Sequence, residues 1–130
     1  MNNLCNELIS RFPEILSRVR EGDEELPYVV MGFLAKWLKK MPADQVTPAL
    51  LGRVAKFARW CEQQPSSTDA EDDTYTILVV GFYEELFDSD SGRALLPHLI
   101  PHEDVVRNAD YLRAWVGPDN YEKALTFYKP

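Results

Sequence analysis

Apolar residues recur along this chain every three or four positions, the spacing that lines one face of an α-helix. The pattern is clearest after Thr47-Pro48, a pair that indicates an N-cap followed by a proline in the first helical turn. The apolar face predicted for this helix carries Leu50, Val54, Phe57, Ala58 and Cys61. A second such face follows Pro27 and carries Val30, Phe33, Leu34, Trp37, Leu38 and Met41.

Shorter stripes occupy both ends of the chain. The N-terminal stripe has a break or kink at Pro13 and carries Leu4, Leu8, Phe12, Leu16 and Val19. The C-terminal stripes carry Val105, Ala109, Leu112 and Val116, and then Tyr121, Leu125 and Tyr128. Because proline and glycine separate these stripes, the pattern predicts about six or seven helices.

The segment from residue 74 to residue 88 is apolar almost all round. Its first half is rich in β-branched residues, but no hairpin dipeptide such as Asn-Gly or Asp-Gly offers it a partner strand, so a helix is preferred. One face of this helix carries Tyr75, Leu78, Val79, Phe82 and Leu86, whereas Ile77, Val80 and Phe87 point elsewhere. A helix that is apolar on all sides is normally covered by its neighbours. The sequence therefore predicts an all-α, single-domain bundle over residues 1–130, built around a central apolar helix at residues 74–88.

Composition agrees with one compact, cytoplasmic domain. The chain has 130 residues, of which 45% are hydrophobic, enough for an ordinary core. No apolar run approaches the ~20 residues of a membrane span, and the N-terminus lacks the features of a signal peptide. In that compartment Cys5 and Cys61 are expected to be reduced, structural thiols.

The negative charge is concentrated in one part of the chain. The formal net charge is −7, yet residues 65–104 alone carry ten acids and a single base, Arg93. Such a surface disfavours direct binding of nucleic acid, whose phosphates require clustered Lys and Arg. The acids bracket the central apolar helix on both sides, and two explanations stay open. They cap and solvate the helix ends, or they contact a basic partner.

Candidate catalytic and metal sites are weak. His98 and His102 have the i, i+4 spacing of zinc ligands, but Pro97 and Pro101 disfavour a regular helix there, so residues 97–103 are predicted as a turn between two helices. Residues 88–92 resemble a calcium loop superficially, but the glycine comes one place early and Leu99 occupies the twelfth position. Phosphate-binding and nucleophile motifs are missing. We therefore expect no catalytic residue, no metal ligand, no cofactor and no enzymatic activity.

Three stretches resemble a family of small, acidic, helical bacterial proteins of unassigned function. They are FPEI at residues 12–15, LPYVVMGFLAKW at 26–37 and VGFYEEL at 80–86. The chain departs from that pattern at Tyr28, where relatives have histidine, and at Phe33, where they have aspartate. A site built on those two polar positions would be absent here.

In size, acidity and helical core the chain is also similar to the immunity proteins of bacterial toxin–immunity pairs, such as those of contact-dependent growth inhibition. This resemblance implies a monomer that binds one cognate toxin domain, often a basic nuclease, in a 1:1 complex and blocks its active site. The partner-binding residues expected on this basis are Asp69, Glu71, Asp72, Asp73, Tyr83, Glu84, Glu85, Asp88 and Asp90. Tyr75 is a weaker candidate for the same surface.

A second hypothesis is a helical adaptor or scaffold that binds a peptide or a partner helix in an apolar groove. It predicts salt-insensitive binding and an exposed tryptophan in the groove, namely Trp37, Trp60 or Trp115.

Overall fold

The computed structural model describes residues 3–69 and 73–128 of the chain. Within those residues the protein forms nine α-helices and no β-strand. We number them α1 (Asn3–Arg11), α2 (Pro27–Lys40), α3 (Pro48–Glu62), α4 (residues 74–87), α5 (Asp90–Arg93), α6 (Leu96–Leu99), α7 (His102–Arg107), α8 (Ala109–Val116) and α9 (Pro118–Leu125). Short 3₁₀ turns cover Pro13–Arg18, Asp23–Glu25, Ala43–Gln45 and Thr126–Tyr128. The all-α, single-domain prediction is confirmed.

Helix α3 forms as its sequence predicts. The Thr47 hydroxyl accepts a hydrogen bond from the backbone N–H of Leu50 at 3.2 Å, which satisfies one of the free donors of the first turn. Pro48 occupies that turn, where no N–H is needed. The buried residues of this helix are the five predicted ones, Leu50, Val54, Phe57, Ala58 and Cys61.

Helix α4 is the central helix, and α2 lies along it. It begins and ends as an α-helix, but Leu78–Tyr83 forms a π-helical turn. Gly81 lies in this turn, and a Cβ atom on it would come within 3.0 Å of the Met31 Cβ in α2. The missing side chain therefore lets the two backbones approach closely.

The buried side chains form one continuous core around α4, which α1 and α3 help to close on one side and α8 and α9 on the other. Cys5 and Cys61 are both buried and free, as expected of structural thiols. Burial raises the pKa of Cys61 to about 12, because the apolar surroundings disfavour the thiolate. No helix in the described ranges is long and apolar enough to span a bilayer.

Two predictions of detail are wrong. The N-terminal stripe does not continue through Leu16, which is 52% exposed, whereas Ile15 is fully buried. The reason is that Pro13–Arg18 is a 3₁₀ turn with about three residues per turn, which shifts the inward face. The helices are also more numerous than expected, because the segment between α4 and α8 breaks into three helices of four to six residues.

Candidate functional site

At the N-terminal end of α4, the carboxylate of Asp73 holds the helix and the preceding loop together. Asp73 is the N-cap, and one of its oxygens accepts hydrogen bonds from the backbone N–H of Thr76 at 3.0 Å and from the Thr76 hydroxyl at 2.6 Å. Its other oxygen accepts the backbone N–H of Ser67 at 2.9 Å. The hydrogen bonds from Thr76 and then Ser67 hold the pKa of Asp73 below its usual value. Asp73 therefore ties the preceding loop to the helix.

Of the other acids predicted near this end, Asp69 is exposed. Glu71 and Asp72 lie outside the described residues. At about 1.5 Å of rise per residue, this end of α4 lies roughly 20 Å from the carboxylates that follow the helix. Among the described residues, the acids that bracket α4 in the sequence therefore form two separate groups rather than one patch.

The second group comprises Glu84, Glu85, Asp88 and Asp90, and we call it the acidic end. Glu84 and Asp88 are four residues apart and so share one side of α4, where their like charges repel. The pKa of Glu84 is raised above its usual value, first by partial burial and then by the charges of Asp88 and Glu85. These carboxylates also face the negative end of the helix dipole. The ionised form of Glu84 is therefore destabilised in the free protein.

Two basic side chains contact the acidic end. Lys39 of α2 donates hydrogen bonds to the Glu85 carboxylate at 3.0 Å and to the Glu85 carbonyl at 3.2 Å. Arg93 forms an ion pair with Asp90 at 2.7 Å. Glu85 keeps 32% of its side chain exposed and Asp90 keeps 83%. Both carboxylates thus remain accessible to a partner while they are held in position.

Arg93 is the structural centre of this end, a role that the sequence analysis missed. Its side chain is only 8% exposed. Besides Asp90, its guanidinium donates to the Phe87 carbonyl at 2.8 Å and to the Asn120 amide oxygen at 2.9 Å. It thereby closes the C-terminus of α4 and links it to α9. The available signal was its position as the single base among ten acids in residues 65–104.

The turn after α4 is compact because of Gly92. Ser89 is the N-cap of α5, and its hydroxyl accepts a hydrogen bond from the backbone N–H of Gly92 at 3.3 Å. A Cβ atom on Gly92 would lie 2.3 Å from the Leu86 carbonyl oxygen. Glycine thus allows α5 to pack directly on the end of α4.

Tyr83 does not belong to this surface, and its prediction as an exposed anchor is wrong. Only 4% of Tyr83 is exposed, and its pKa is raised well above the usual value, chiefly because it is buried. It lies in the π-helical turn, whose i to i+5 hydrogen bonding adds a residue to the turn, and both Phe82 and Tyr83 are buried there. Tyr75 is half-buried and stacks on Tyr111 at a centroid distance of 5.9 Å.

An open cavity of about 740 Å³ lies beside the acidic end. We call this cavity the groove. Its floor and walls are mostly apolar and come from the end of α2, from α3 and from residues 91–98. The lining residues are Leu38, Lys39, Met41, Ala43, Val46, Pro48, Leu51, Gly52, Ala55, Ser91, Ala94, Leu95 and His98. Lys39 joins the groove to Glu85, and Ser91 of the groove directly follows Asp90. The groove and the acidic end are therefore adjacent.

The tryptophans and histidines do not converge on one site. Trp37 lines a smaller pocket of about 310 Å³, Trp60 stacks on Phe57, and Trp115 is 41% exposed beside Tyr111. His98 lines the groove, whereas His102 stacks on Tyr128. Pro97, placed by sequence in a turn, lies in the first turn of α6. Among the residues that the structure describes, no three His, Cys, Asp or Glu side chains are grouped as metal ligands.

Comparisons of this chain with known protein families, with curated proteins and with solved structures found no match.

Proposed function

We propose that this protein is an immunity protein, which binds a basic, nuclease-type toxin domain through the acidic end and blocks the active site of that toxin by covering it. The observation that carries the proposal is the grouping of Glu84, Glu85, Asp88 and Asp90 at one end of α4. Lys39 and Arg93 hold two of these carboxylates in place without enclosing them. Occlusion of this kind requires no catalytic group and no cofactor.

Electrostatics favour a basic partner at this position. The pKa of Glu84 is raised first by partial burial and then by the charges of Asp88 and Glu85, and a cation placed beside Glu84 and Asp88 would offset these effects. Complementary charge also steers encounter, and association rates reach about 10⁸–10⁹ M⁻¹s⁻¹ at low salt. A fast association is useful to a cell that must neutralise a toxin before the toxin acts. An interface of the usual size, about 800 Å² per partner, is within the reach of a 15.0 kDa domain.

The first experiment is co-purification of the tagged protein from its native cell. One basic protein should be retained at about 50 mM salt and released at several hundred millimolar, since the interaction is screened within the Debye length. The association rate of the purified pair is then measured by stopped flow across a salt series.

The decisive variant is Glu84→Lys with Asp88→Lys. It reverses the two repelling charges, keeps both ion pairs of the acidic end, and places lysines where the helix dipole favours them, so the fold should persist. Its matched control is Glu21→Lys with Asp110→Lys, at two exposed acids on other parts of the surface. We expect at least a tenfold slower association for the first variant only. Equal association rates for the two variants would remove the acidic end from the interface.

The groove supports a second candidate function, an adaptor that binds a peptide or a partner helix mainly by apolar contact. Its lining is predominantly apolar, and it remains open along its length. Binding of this kind would change little between low and high salt, so the same salt series separates the two candidates.

A further inference from the structure

We propose that the groove and the acidic end form one docking site, and that its occupant is an amphipathic helix of the partner protein with basic residues along one edge. This inference rests on the proposed function, because it names the element through which the basic partner is recognised. Three features of the molecule favour this occupant, namely the helical row of α3, the open backbone at Gly52 and the charge beside the groove.

The groove has one helical wall and one wall built from shorter segments. The helical wall is a stripe of α3, formed by Pro48, Leu51, Gly52 and Ala55, whose spacing i, i+3, i+4, i+7 marks one face of a helix. The other wall comes from residues 91–98 and is formed by Ser91 of α5, by Ala94 and Leu95 in the turn that follows, and by His98 of α6. A helix packs its side-chain ridges into the grooves between the rows of another helix, so a helix of the partner can lie along the row of α3.

The backbone of α3 is open to close approach at Gly52. A glycine in the middle of a helix is less favourable than alanine there. In the part of the chain that the structure describes, no heavy atom apart from the two chain neighbours and the adjoining backbone of α3 lies within 4 Å of the place where a Gly52 Cβ would stand, so packing against other elements does not explain the glycine. Ala55 and Ala94 also keep the walls low, while Met41 and Val46 supply an apolar floor. Another backbone can therefore approach α3 at this point.

Charge complementarity selects the occupant. The charge of Lys39 is matched by Glu85, and the exposed carboxylates of Asp88 and Asp90 closely precede Ser91, which lines the groove. A second copy of this chain, with its net charge of −7, would bring further negative charge to an acidic edge. An anionic lipid surface would be repelled for the same reason. An apolar helix face flanked by Lys or Arg satisfies both the groove and its edge.

The test uses synthetic peptides of about five helical turns as probes, with one leucine face in common. The first carries lysine beside that face, the second carries glutamate in the same places, and the third is the lysine peptide with a central proline that breaks the helix. Binding is measured by calorimetry at low salt and is mapped by NMR on the methyl groups of Leu51, Leu95 and Val46. We expect saturable micromolar binding of the lysine peptide alone, with at least tenfold weaker binding of the other two.

The variant that tests the groove is Gly52→Leu, which fills the open space above α3. Its matched control is Gly32→Leu in α2, another helical glycine with no atom within 4 Å of its Cβ position but outside the groove. Leucine has a higher helix propensity than glycine, so both variants should fold. We expect Gly52→Leu to lower the affinity for the lysine peptide at least tenfold, and we expect Gly32→Leu to leave that affinity unchanged. Three results would overturn the inference. The glutamate peptide could bind as tightly as the lysine peptide, or the lysine peptide could bind both glycine variants equally well. The lysine peptide could also show no saturable binding up to about 1 mM.

The two proposals fail in different ways. If the partner from the native cell binds in a salt-sensitive manner but ignores Gly52→Leu, the groove is not part of the interface and the proposed function stands. If the lysine peptide occupies the groove but the native cell yields no basic partner, the helix-binding site stands and the immunity function falls.

Discussion

Replacement of Gly92 by alanine should strongly destabilise the protein, because the new methyl group has no space. In the structure its Cβ would lie 2.3 Å from the Leu86 carbonyl oxygen and 2.7 Å from the Leu86 Cα. These are backbone atoms at the end of the buried central helix. They are also held by Arg93, whose guanidinium donates to the neighbouring Phe87 carbonyl at 2.8 Å. The overlap can be relieved only by moving α5 away from α4.

The size of the effect follows from that displacement. Contacts shorter than 3.0 Å essentially never occur for a real Cβ, so the two backbones must separate by at least about 0.7 Å. Overpacking of a well-packed site typically costs about 1–3 kcal/mol, and a clash with backbone belongs at the upper end, about 3 kcal/mol. For a domain of this size that corresponds to a Tm lower by about 12 °C. With a urea m-value of about 2 kcal/mol/M, the midpoint falls by about 1.5 M.

The assay is urea and thermal unfolding followed by circular dichroism, with Gly32→Ala as the matched control. Gly32 lies inside α2 with no atom within 4 Å of its Cβ position, so alanine there should be neutral or stabilising by up to about 1 kcal/mol. If the free energies of unfolding of Gly92→Ala and Gly32→Ala differ by less than about 1 kcal/mol, the close contact between α4 and α5 is refuted. The placement of Asp88 and Asp90 is then refuted as well.

Substitutions at three further positions test the contacts around α4 by urea unfolding. Arg93→Met should lower the free energy of unfolding by about 2–4 kcal/mol, since it leaves the Phe87 carbonyl and the Asn120 amide oxygen without their charged donor. Arg93→Lys should lose less of this stability than Arg93→Met but remain below the unsubstituted protein, because lysine lacks the forked geometry of the guanidinium. Asp73→Ala should cost about 1 kcal/mol at pH 7 through loss of the N-cap. Because the pKa of Asp73 is lowered in the folded state, that difference should begin to shrink as the pH falls below the ordinary aspartate value of 3.8, and it should disappear once the pH falls through the lower pKa of the folded state. A constant difference would contradict the cap. Glu84→Gln should stabilise the protein at pH 7, because the raised pKa of Glu84 shows that its charged form is disfavoured in the folded state. This gain in stability should vanish in acid, where the Glu84 carboxylate is protonated. A variant less stable than the unsubstituted protein at pH 7 would contradict the prediction.

The local features of the fold were predictable from the sequence. The cap and the buried face of α3 follow from Thr47-Pro48 and the apolar stripe behind it, and the central position of α4 follows from its apolar residues on all sides. The two buried, free cysteines were also expected. Each of these depends on residues within a few turns of one another, where helical periodicity and capping chemistry act directly.

The grouping of the acids and the groove beside the acidic end depend on tertiary packing. In the sequence all the acids around α4 look alike, but helix length places them at two separate ends, and the bond between Lys39 and Glu85 joins residues that are 46 positions apart. The π-helical turn, which buries Tyr83, has no clear signal in the sequence. The groove is lined by the end of α2, by α3 and by residues 91–98, so it depends on contacts between distant segments rather than on the periodicity within any one of them.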